Sequence, residues 1–346
     1  MIGFKSAFVI FLASFVLEAE PNRIDTALES VPDFSGVVLV SENGEITSER
    51  AIGIADEENA LAMQAQLDWR WASVTKQVVA VLVMQLVEDG RVSLDTPLSE
   101  AAPGFDVRRA NRITVRDLLR HTTGLPDPDD LSEAEFDAST FDSFDFCTDG
   151  RARQNAPFNY NNCDYVALGA VIEHVSGEPW EDQLQARILE PAGMTRTRVG
   201  GGEDDGTVIG YDRAGVASAR RDLELYGAAG ALVGPPEDLI RFNTALMEGR
   251  LLDEASLETL WEGVPRLGFV ALGAWSFSAP LAGCDGSVAL VERRGFISGV
   301  QVRNILAVER GQSLVVFLNR GDFDFGEIWM GSGLSYDLAG AAFCES

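Results

Sequence analysis

The order of secondary-structure signals along the chain is the feature that most restricts its fold. The segment SGVVLVSENGEITSERAIGIA (35–55) has apolar alternation on both sides of Asn43-Gly44, which predicts a β-hairpin with a tight turn. Strands at both ends of the chain, with helices between them, predict one sheet built from the two ends and a helical insertion beside it. The predicted strands near the far end are FVALGAWSFS (269–278), SVALVERRGF (287–296), VQVRNILAV (300–308) and SLVVFLNR (313–320), with a turn at 309–312.

The middle of the chain carries the helical signals. After Ser73 the segment TKQVVAVLVMQLVEDG is apolar nearly all round as far as Gly90, which is typical of a buried helix that ends at a glycine. Residues 126–154 are acidic and poor in aliphatic side chains, so we predict a long loop or lid there. Further helices are predicted at 115–120, 164–175, 180–189, 236–248, 254–262 and around 338–343.

Composition indicates one globular unit. Of the 346 residues 46% are hydrophobic, and neither an internal repeat nor a linker is visible. We therefore expect a single catalytic domain over 20–346, with an α/β lobe from about 30–72 and 265–346 and a helical lobe from about 73–264. The net charge of -27 would repel nucleic acid and anionic lipid surfaces, so neither is expected as a partner.

The first 19 residues have the pattern of a secretory signal peptide. A cation at Lys5 precedes an apolar run over 7–17, which is too short to span a bilayer because a span needs about 20 apolar residues. Leu17 is large where a small residue is usual before a cleavage site, so an uncleaved anchor is the alternative. We expect a periplasmic or secreted protein with no stable membrane span unless the signal remains attached.

Four cysteines would lie in an oxidising compartment if that segment is a signal. They allow two disulfides in three pairings. We favour Cys147 with Cys163, which closes a short loop, and Cys284 with Cys344. Four buried free thiols are the alternative.

Ser73 and Lys76 form the first chemical motif. Their spacing of three places both on one face of a helix, about one turn apart. A serine nucleophile needs a nearby base, and a lysine amine can act as one once burial or neighbouring cations disfavour its charge. Arginine cannot, because its guanidinium keeps its proton. The chain has 25 arginines and only one other lysine, so Lys76 is interpreted as catalytic, with a surface lysine as the alternative.

Tyr160 and Asn162 form a second candidate pair in FNYNNCDYVALG. Tyrosine can hold or pass a proton, and an asparagine amide can donate to a substrate carbonyl while accepting from a substrate amide. On its own the pair is equally explained by a loop tyrosine that caps the next helix. Its position between Ser73-x-x-Lys76 and a strand that carries cations favours a place in the same site.

Other chemistries find little support in the sequence. Two histidines, His121 and His174, are too few for a multi-histidine metal site. Nucleophilic chemistry by a serine and a lysine requires no metal or organic cofactor, so none is predicted. There is no Gly-x-Ser-x-Gly elbow, and no lysine follows a suitable phosphate-binding glycine loop. His121, in HTTGLPD, is interpreted as structural.

Five segments follow one another along the chain: SVTK, RITVRDLLRHTTGLPD, YNNCDYVALGAVIEHVSGEPWEDQL, ILEPAGMTRT and GAAGALVGPPEDLIRF. In this order they resemble the serine β-lactamase and penicillin-binding-protein superfamily, nearest to its class C β-lactamase and esterase branch. The resemblance runs from about Ser35 to the C-terminal region. It implies an α/β (α+β) fold of the β-lactamase/transpeptidase type, with a mainly antiparallel sheet flanked by helices and a helical lobe. It also implies Ser73 as the nucleophile, Lys76 and Tyr160 as proton-transfer residues, and Asn162 as a substrate contact.

The third motif of that family, Lys-Thr-Gly or His-x-Gly on an inner strand, falls on Arg293-Arg294-Gly295. A cation is kept, and arginine could bind a substrate carboxylate through two hydrogen bonds, but a second large cation replaces the central hydroxyl. The glycine permits close approach of a substrate backbone, and the resemblance implies that the N–H groups of Phe296 and Ser73 form an oxyanion hole. A solvated arginine pair on an edge strand is the alternative.

The resemblance therefore implies a serine hydrolase that forms an acyl-enzyme on Ser73. Its substrate would be a small molecule or peptide: a small ester, a D-amino-acid amide or peptide, or a β-lactam. The alternative is a penicillin-binding or sensor protein of the same fold that is acylated without turning over.

Overall fold

The computed structural model describes residues 23–131, 141–153, 156–202 and 204–344. The predicted signal peptide lies outside these residues. The strands are β1 Gly36–Glu42, β2 Glu45–Ile52, β3 Ile54–Asp56, β4 Leu61–Ala62, β5 Trp69–Arg70, β6 Arg198–Val199, β7 Tyr211–Arg213, β8 Val216–Ala217, β9 Leu232–Gly234, β10 Trp275–Pro280, β11 Ser287–Ile297, β12 Val300–Ala307 and β13 Gln312–Leu318. The α-helices are α1 Arg23–Glu29, α2 Thr75–Glu88, α3 Leu98–Ala101, α4 Val115–Leu119, α5 Ser143–Thr148, α6 Cys163–Ser176, α7 Trp180–Leu184, α8 Glu190–Ala192, α9 Pro236–Met247, α10 Glu254–Leu260 and α11 Leu334–Phe343.

Both ends of the chain build the main sheet. Its six strands are antiparallel neighbours in the order β10-β11-β12-β13-β1-β2, so β1 pairs with β13 across almost the whole sequence. The hairpin between β1 and β2 turns at Asn43 and Gly44, whose φ values of +48° and +85° suit a type I′ turn. The predicted hairpin and the predicted mainly antiparallel sheet are confirmed.

Helices cover both faces of this sheet. One face packs against α1 and α11, while the other joins a larger apolar cluster formed by α2, α6 and α9. Eleven of the fourteen residues of α2 are buried, which explains why its sequence is apolar nearly all round. Burying a valine or leucine side chain contributes about 2 kcal/mol, so this helix is a main source of stability beside the site.

The structure differs from the predicted elements at several points. Within 269–278 only the part from Trp275 is a strand, because Phe269 and Gly273 have φ of +63° and +79° and turn the backbone. Segment 180–189 is not one regular helix, since residues Gln185–Leu189 form a wider turn between α7 and α8. Helix α11 begins four residues earlier than expected. Helix α1 was not predicted from the sequence.

The predicted loop or lid at 126–154 contains two short helical segments among its described residues. These are a 3-10 turn at Pro128–Asp130 and helix α5, while residues 132–140 and 154 lie outside the described part of the chain. In both segments a preceding aspartate side chain accepts a backbone N–H, which favours a helix start even in an acidic stretch.

Two disulfides tie peripheral segments to the fold. Cys147 in α5 is bonded to Cys163 at the start of α6, and Cys284 is bonded to Cys344 at the end of α11. The favoured pairing is therefore confirmed, and none of the cysteines is free. Within the described ranges, every helix is too short or too polar to cross a membrane.

Candidate active site

Ser73 lies in a strained turn between β5 and α2. Residues Ala72–Val74 form one 3-10 turn, and Ala72 has φ of +49°, which costs a non-glycine residue about 1–2 kcal/mol. The turn is held by Trp71, whose backbone N–H donates to Leu232 O at 2.9 Å and whose indole donates to Gly234 O at 3.0 Å. The strand β9 thus fixes the direction in which the serine hydroxyl points.

Lys76 is fully buried one helical turn after Ser73. Its Nζ lies 3.2 Å from Ser73 Oγ and donates to Asn162 Oδ1 and Ala229 O, both at 2.7 Å. Burial lowers the pKa of Lys76, partly offset by the nearby Tyr160, because the apolar helix α2 offers no water to solvate the ammonium. The predicted serine–lysine contact is present in the fold.

Tyr160 makes the shortest contact to the serine. Its hydroxyl lies 2.5 Å from Ser73 Oγ and accepts a hydrogen bond from Arg293 Nη2 at 3.2 Å. Burial by itself raises the pKa of Tyr160, but the positive charges of Lys76 and Arg293 outweigh it, so the pKa lies below its ordinary value. Compared with a tyrosine in water, Tyr160 therefore loses its proton more readily.

Asn162 is held by three charged side chains. Its carbonyl accepts from Lys76, which fixes the orientation of the amide, since an ammonium cannot accept a hydrogen bond. Its Nδ2 then donates to Asp127 Oδ1 at 3.0 Å and to Asp129 Oδ2 at 2.9 Å. Neither aspartate was predicted as a site residue. The acidic run PDPDD directly after HTTGL was the available signal, because it follows a segment that borders the site in the resembled family.

The two arginines of the third motif point to opposite faces of β11. Arg293 is 2% exposed, and its Nε donates to Ser73 O at 2.8 Å. Arg294 is paired with Glu292 and Glu327, at 2.8 and 2.7 Å. Because β11 lies between β10 and β12, the alternative of a solvated pair on an edge strand is wrong.

Gly295 is required by the close approach of β11 to the serine turn. A Cβ atom at this position would overlap the carbonyl oxygen of Trp71 and would lie 3.3 Å from Ser73 N. The following residue, Phe296, is 60% exposed at the mouth of the site. The oxyanion hole formed by the N–H groups of Phe296 and Ser73 stays a prediction.

Two cavities adjoin the serine. One of about 400 Å³ is lined by Ser73 and Tyr160 together with Trp275, Arg293, Arg294, Gln301 and Arg303. The other, of about 30 Å³, lies among Ser73, Asp129, Asn162 and Tyr226. The volume of the larger cavity suits a small substrate bound beside the nucleophile.

His121 supports the site from behind. Its ring packs against Tyr160 with centroids 4.6 Å apart, and Nδ1 lies 3.1 Å from Asp164 Oδ2. Burial lowers the pKa of His121 well below its ordinary value, and the cations Arg293 and Lys76 lower it further, so the ring is neutral at physiological pH. These contacts support the structural role that the sequence suggested. In the described part of the chain, no group of three histidine, cysteine or carboxylate side chains could hold a metal ion.

The relatives found by comparison with known sequences include penicillin-binding proteins and an esterase. PbpX of Bacillus subtilis (strain 168), named as a penicillin-binding protein, is 29% identical over 255 residues, which cover 69% of this chain and 61% of PbpX. Esterase EstB of Burkholderia gladioli is 32% identical over 188 residues, which cover 49% of this chain and 48% of EstB. The chain thus spans between about half and three fifths of the length of these relatives.

The fold also matches solved structures. The crystal structure of D-amino acid amidase from Ochrobactrum anthropi SV3 complexed with D-phenylalanine has a TM-score of 0.75 and 28% identity, covering 92% of this chain and 97% of that one. The fold class and the resemblance drawn from the sequence are confirmed. Because the model of the family described as Beta-lactamase matches residues 24–321, the chain belongs to the Beta-lactamase family.

Proposed function

We propose that this protein is a serine hydrolase that works through an acyl-enzyme on Ser73. The observation that carries the proposal is the contact of one serine hydroxyl with both Tyr160, at 2.5 Å, and Lys76, at 3.2 Å. A serine becomes nucleophilic when an adjacent group can take its proton, and here two such groups are in place. The esterase and the D-amino acid amidase among the similar proteins support the same reaction class.

The geometry supports Tyr160 as the first proton acceptor. Ser73 Oγ attacks the carbonyl carbon of the substrate while its proton passes to the phenolate, which Lys76 and Arg293 stabilise as cations. The carbonyl oxygen gains the negative charge and would be held by the N–H groups of Ser73 and Phe296. The C–O or C–N bond then breaks as the leaving group takes the proton from Tyr160. Water hydrolyses the acyl-serine by the same transfers in reverse order.

The candidate substrates are small esters, D-amino-acid amides or peptides, and β-lactams. A cavity of about 400 Å³ beside Ser73 is large enough for groups of this size. Binding of substrate by Arg293, Arg294, Gly295 and Phe296 remains part of the proposal. The hydrogen bonds of Arg294 to two carboxylates make it the weaker candidate for gripping a substrate carboxylate.

The compartment is also a proposal. Periplasmic or secreted location, after removal of a signal peptide at 1–19, is supported by the two disulfides, which persist in oxidising surroundings.

The test is turnover of 4-nitrophenyl acetate and benzylpenicillin by the purified protein and by Ser73→Ala, with the intact mass recorded over time. We expect multiple turnover of at least the ester, lost in Ser73→Ala. Equal turnover by Ser73→Ala would contradict the proposal. A lasting adduct that needs Ser73, without turnover, would instead indicate the sensor alternative.

A further inference from the structure

Three polar side chains besides Ser73 line the small cavity, those of Asp129, Asn162 and Tyr226. We propose that Asp129 binds the protonated amino group of the substrate there, so that the enzyme selects substrates with a free amine over their N-acylated counterparts. This inference rests on the proposed hydrolase function and names the substrate class. It follows from the hydrogen bonds that these three polar side chains already make.

Asn162 has no side-chain donor left for a substrate carbonyl. Both of its amide hydrogens are directed at carboxylates, one at Asp127 and one at Asp129. Its carbonyl is taken by Lys76. An acylamino group, whose carbonyl oxygen needs a donor, therefore finds none on this asparagine.

Tyr226 is also engaged. Its hydroxyl donates to Asp129 Oδ1 at 3.0 Å and accepts from Arg221 Nη1 at 2.8 Å. Burial raises the pKa of Tyr226 to about 12, so the hydroxyl keeps its proton and continues to donate to the aspartate. The tyrosine offers the cavity no donor of its own.

Asp129 keeps acceptor capacity on one carboxylate oxygen. Oδ1 accepts from Tyr226 and Arg221, whereas among the described residues Oδ2 accepts from Asn162 alone. A carboxylate oxygen can accept two hydrogen bonds, so one position on Oδ2 remains. The side chain is 48% exposed and lines both cavities that adjoin Ser73, which puts it within reach of a group bound there.

The size of the cavity suits an ammonium group. About 30 Å³ accommodates one or two water-sized groups, which is enough for the protonated nitrogen and its hydrogens. An acyl carbonyl placed there would also face the carboxylate oxygen of Asp129, and like partial charges repel. Across the whole chain, a net charge of -27 favours the approach of cationic substrates.

The test compares D-phenylalanine 4-nitroanilide with its N-acetyl derivative in the wild type, Asp129→Asn and Asp130→Asn. Asp130 is the matched control, because it is an exposed neighbour that loses the same charge when replaced. We expect kcat/KM for the free amine to exceed that for the N-acetyl compound at least tenfold in the wild type and in Asp130→Asn. In Asp129→Asn this ratio should fall at least tenfold, chiefly because KM for the free amine rises. A wild-type ratio near one, or an unchanged ratio in Asp129→Asn, would overturn the inference.

Inhibition provides a second measurement that does not need turnover of an anilide. D-phenylalaninamide should inhibit hydrolysis of 4-nitrophenyl acetate at least tenfold more strongly than N-acetyl-D-phenylalaninamide. Equal or absent inhibition by the two would also overturn the inference.

Failure of the proposed hydrolase function can be distinguished from failure of this inference, because 4-nitrophenyl acetate has no amine. Loss of Ser73-dependent turnover on that ester contradicts the hydrolase itself, whereas turnover without amine selectivity contradicts only the role of Asp129.

Discussion

Strand β11 separates two regions around the third motif. On one face Arg293 lies against Tyr160 and the carbonyl of Ser73. On the other face Arg294 lies between Glu292 and Glu327. Both regions hold a largely buried guanidinium, yet their charges act on different partners.

The difference shows that the role of each arginine depends on whether a carboxylate pairs with its charge, and not on the residue type. Among the described residues Arg293 forms no ion pair with a carboxylate, so its field acts on Tyr160 and lowers the pKa of that phenol, together with Lys76. Arg294 is balanced by two carboxylates. Its structural role is to pair the buried Glu292, whose side chain is 0% exposed.

The largest expected effect tests whether the Arg293 face serves catalysis through Tyr160. Tyr160→Phe should lower kcat/KM for 4-nitrophenyl acetate by about 10²- to 10⁴-fold, because it removes the proton acceptor nearest to Ser73. Adding Arg293→Gln to this variant should then change little further, since the group that Arg293 acts on is gone. A large further loss would show that Arg293 acts independently of Tyr160. Circular dichroism checks that both variants fold.

The next effect concerns stability on the opposite face. Arg294→Ala leaves Glu292 buried, with Arg303 at 3.8 Å as its one remaining cation among the described residues, and should lower the free energy of unfolding by about 3 kcal/mol. Arg293→Ala removes hydrogen bonds to a carbonyl and a hydroxyl, but it also removes a buried cation that lacks a carboxylate partner among the described residues, so a smaller loss of about 1 kcal/mol is expected. Urea unfolding of the two variants measures the difference. Equal losses of unfolding free energy in the two variants would contradict the view that carboxylate pairing on the Arg294 face is the larger contribution to stability.

The smallest effect is a shift in pH dependence. Arg293 favours the phenolate of Tyr160, so Arg293→Gln should raise the pKa of that phenol. The low-pH limb of kcat/KM should then move to higher pH, with activity at neutral pH reduced about tenfold per unit of pKa. The pH profile of Arg294→Gln is the control, and its midpoint should stay in place. An unmoved midpoint in Arg293→Gln would remove Arg293 from the control of the base.

Much of the fold was predictable because its signals are local. The β1–β2 hairpin follows from Asn-Gly between apolar alternations, and α2 follows from an unbroken apolar segment. The segment 269–278 was predicted less well. Its composition suits a strand, but two residues with positive φ turn its first half, and a one-dimensional pattern does not show such a turn.

The candidate site likewise has residues that local sequence predicted and residues that it did not. Ser73 and Lys76 lie one turn apart on one chain segment, so their spacing alone predicted their contact. By contrast, Asp129 lies 33 residues from Asn162 in sequence. The acidic run PDPDD indicates that the site is near, but it does not indicate which aspartate contacts that amide. Loop packing brings these two side chains together.

The sequence by itself determined the order of the elements, the buried helix and the serine–lysine spacing, because each depends on periodicity or backbone geometry over a few residues. Only the tertiary structure decided that Arg293 faces Tyr160 while Arg294 faces Glu327, and that two aspartates hold Asn162. Those outcomes depend on which face of β11 meets the serine turn and on distances between residues far apart in the chain. Such distances are set by packing of the whole domain.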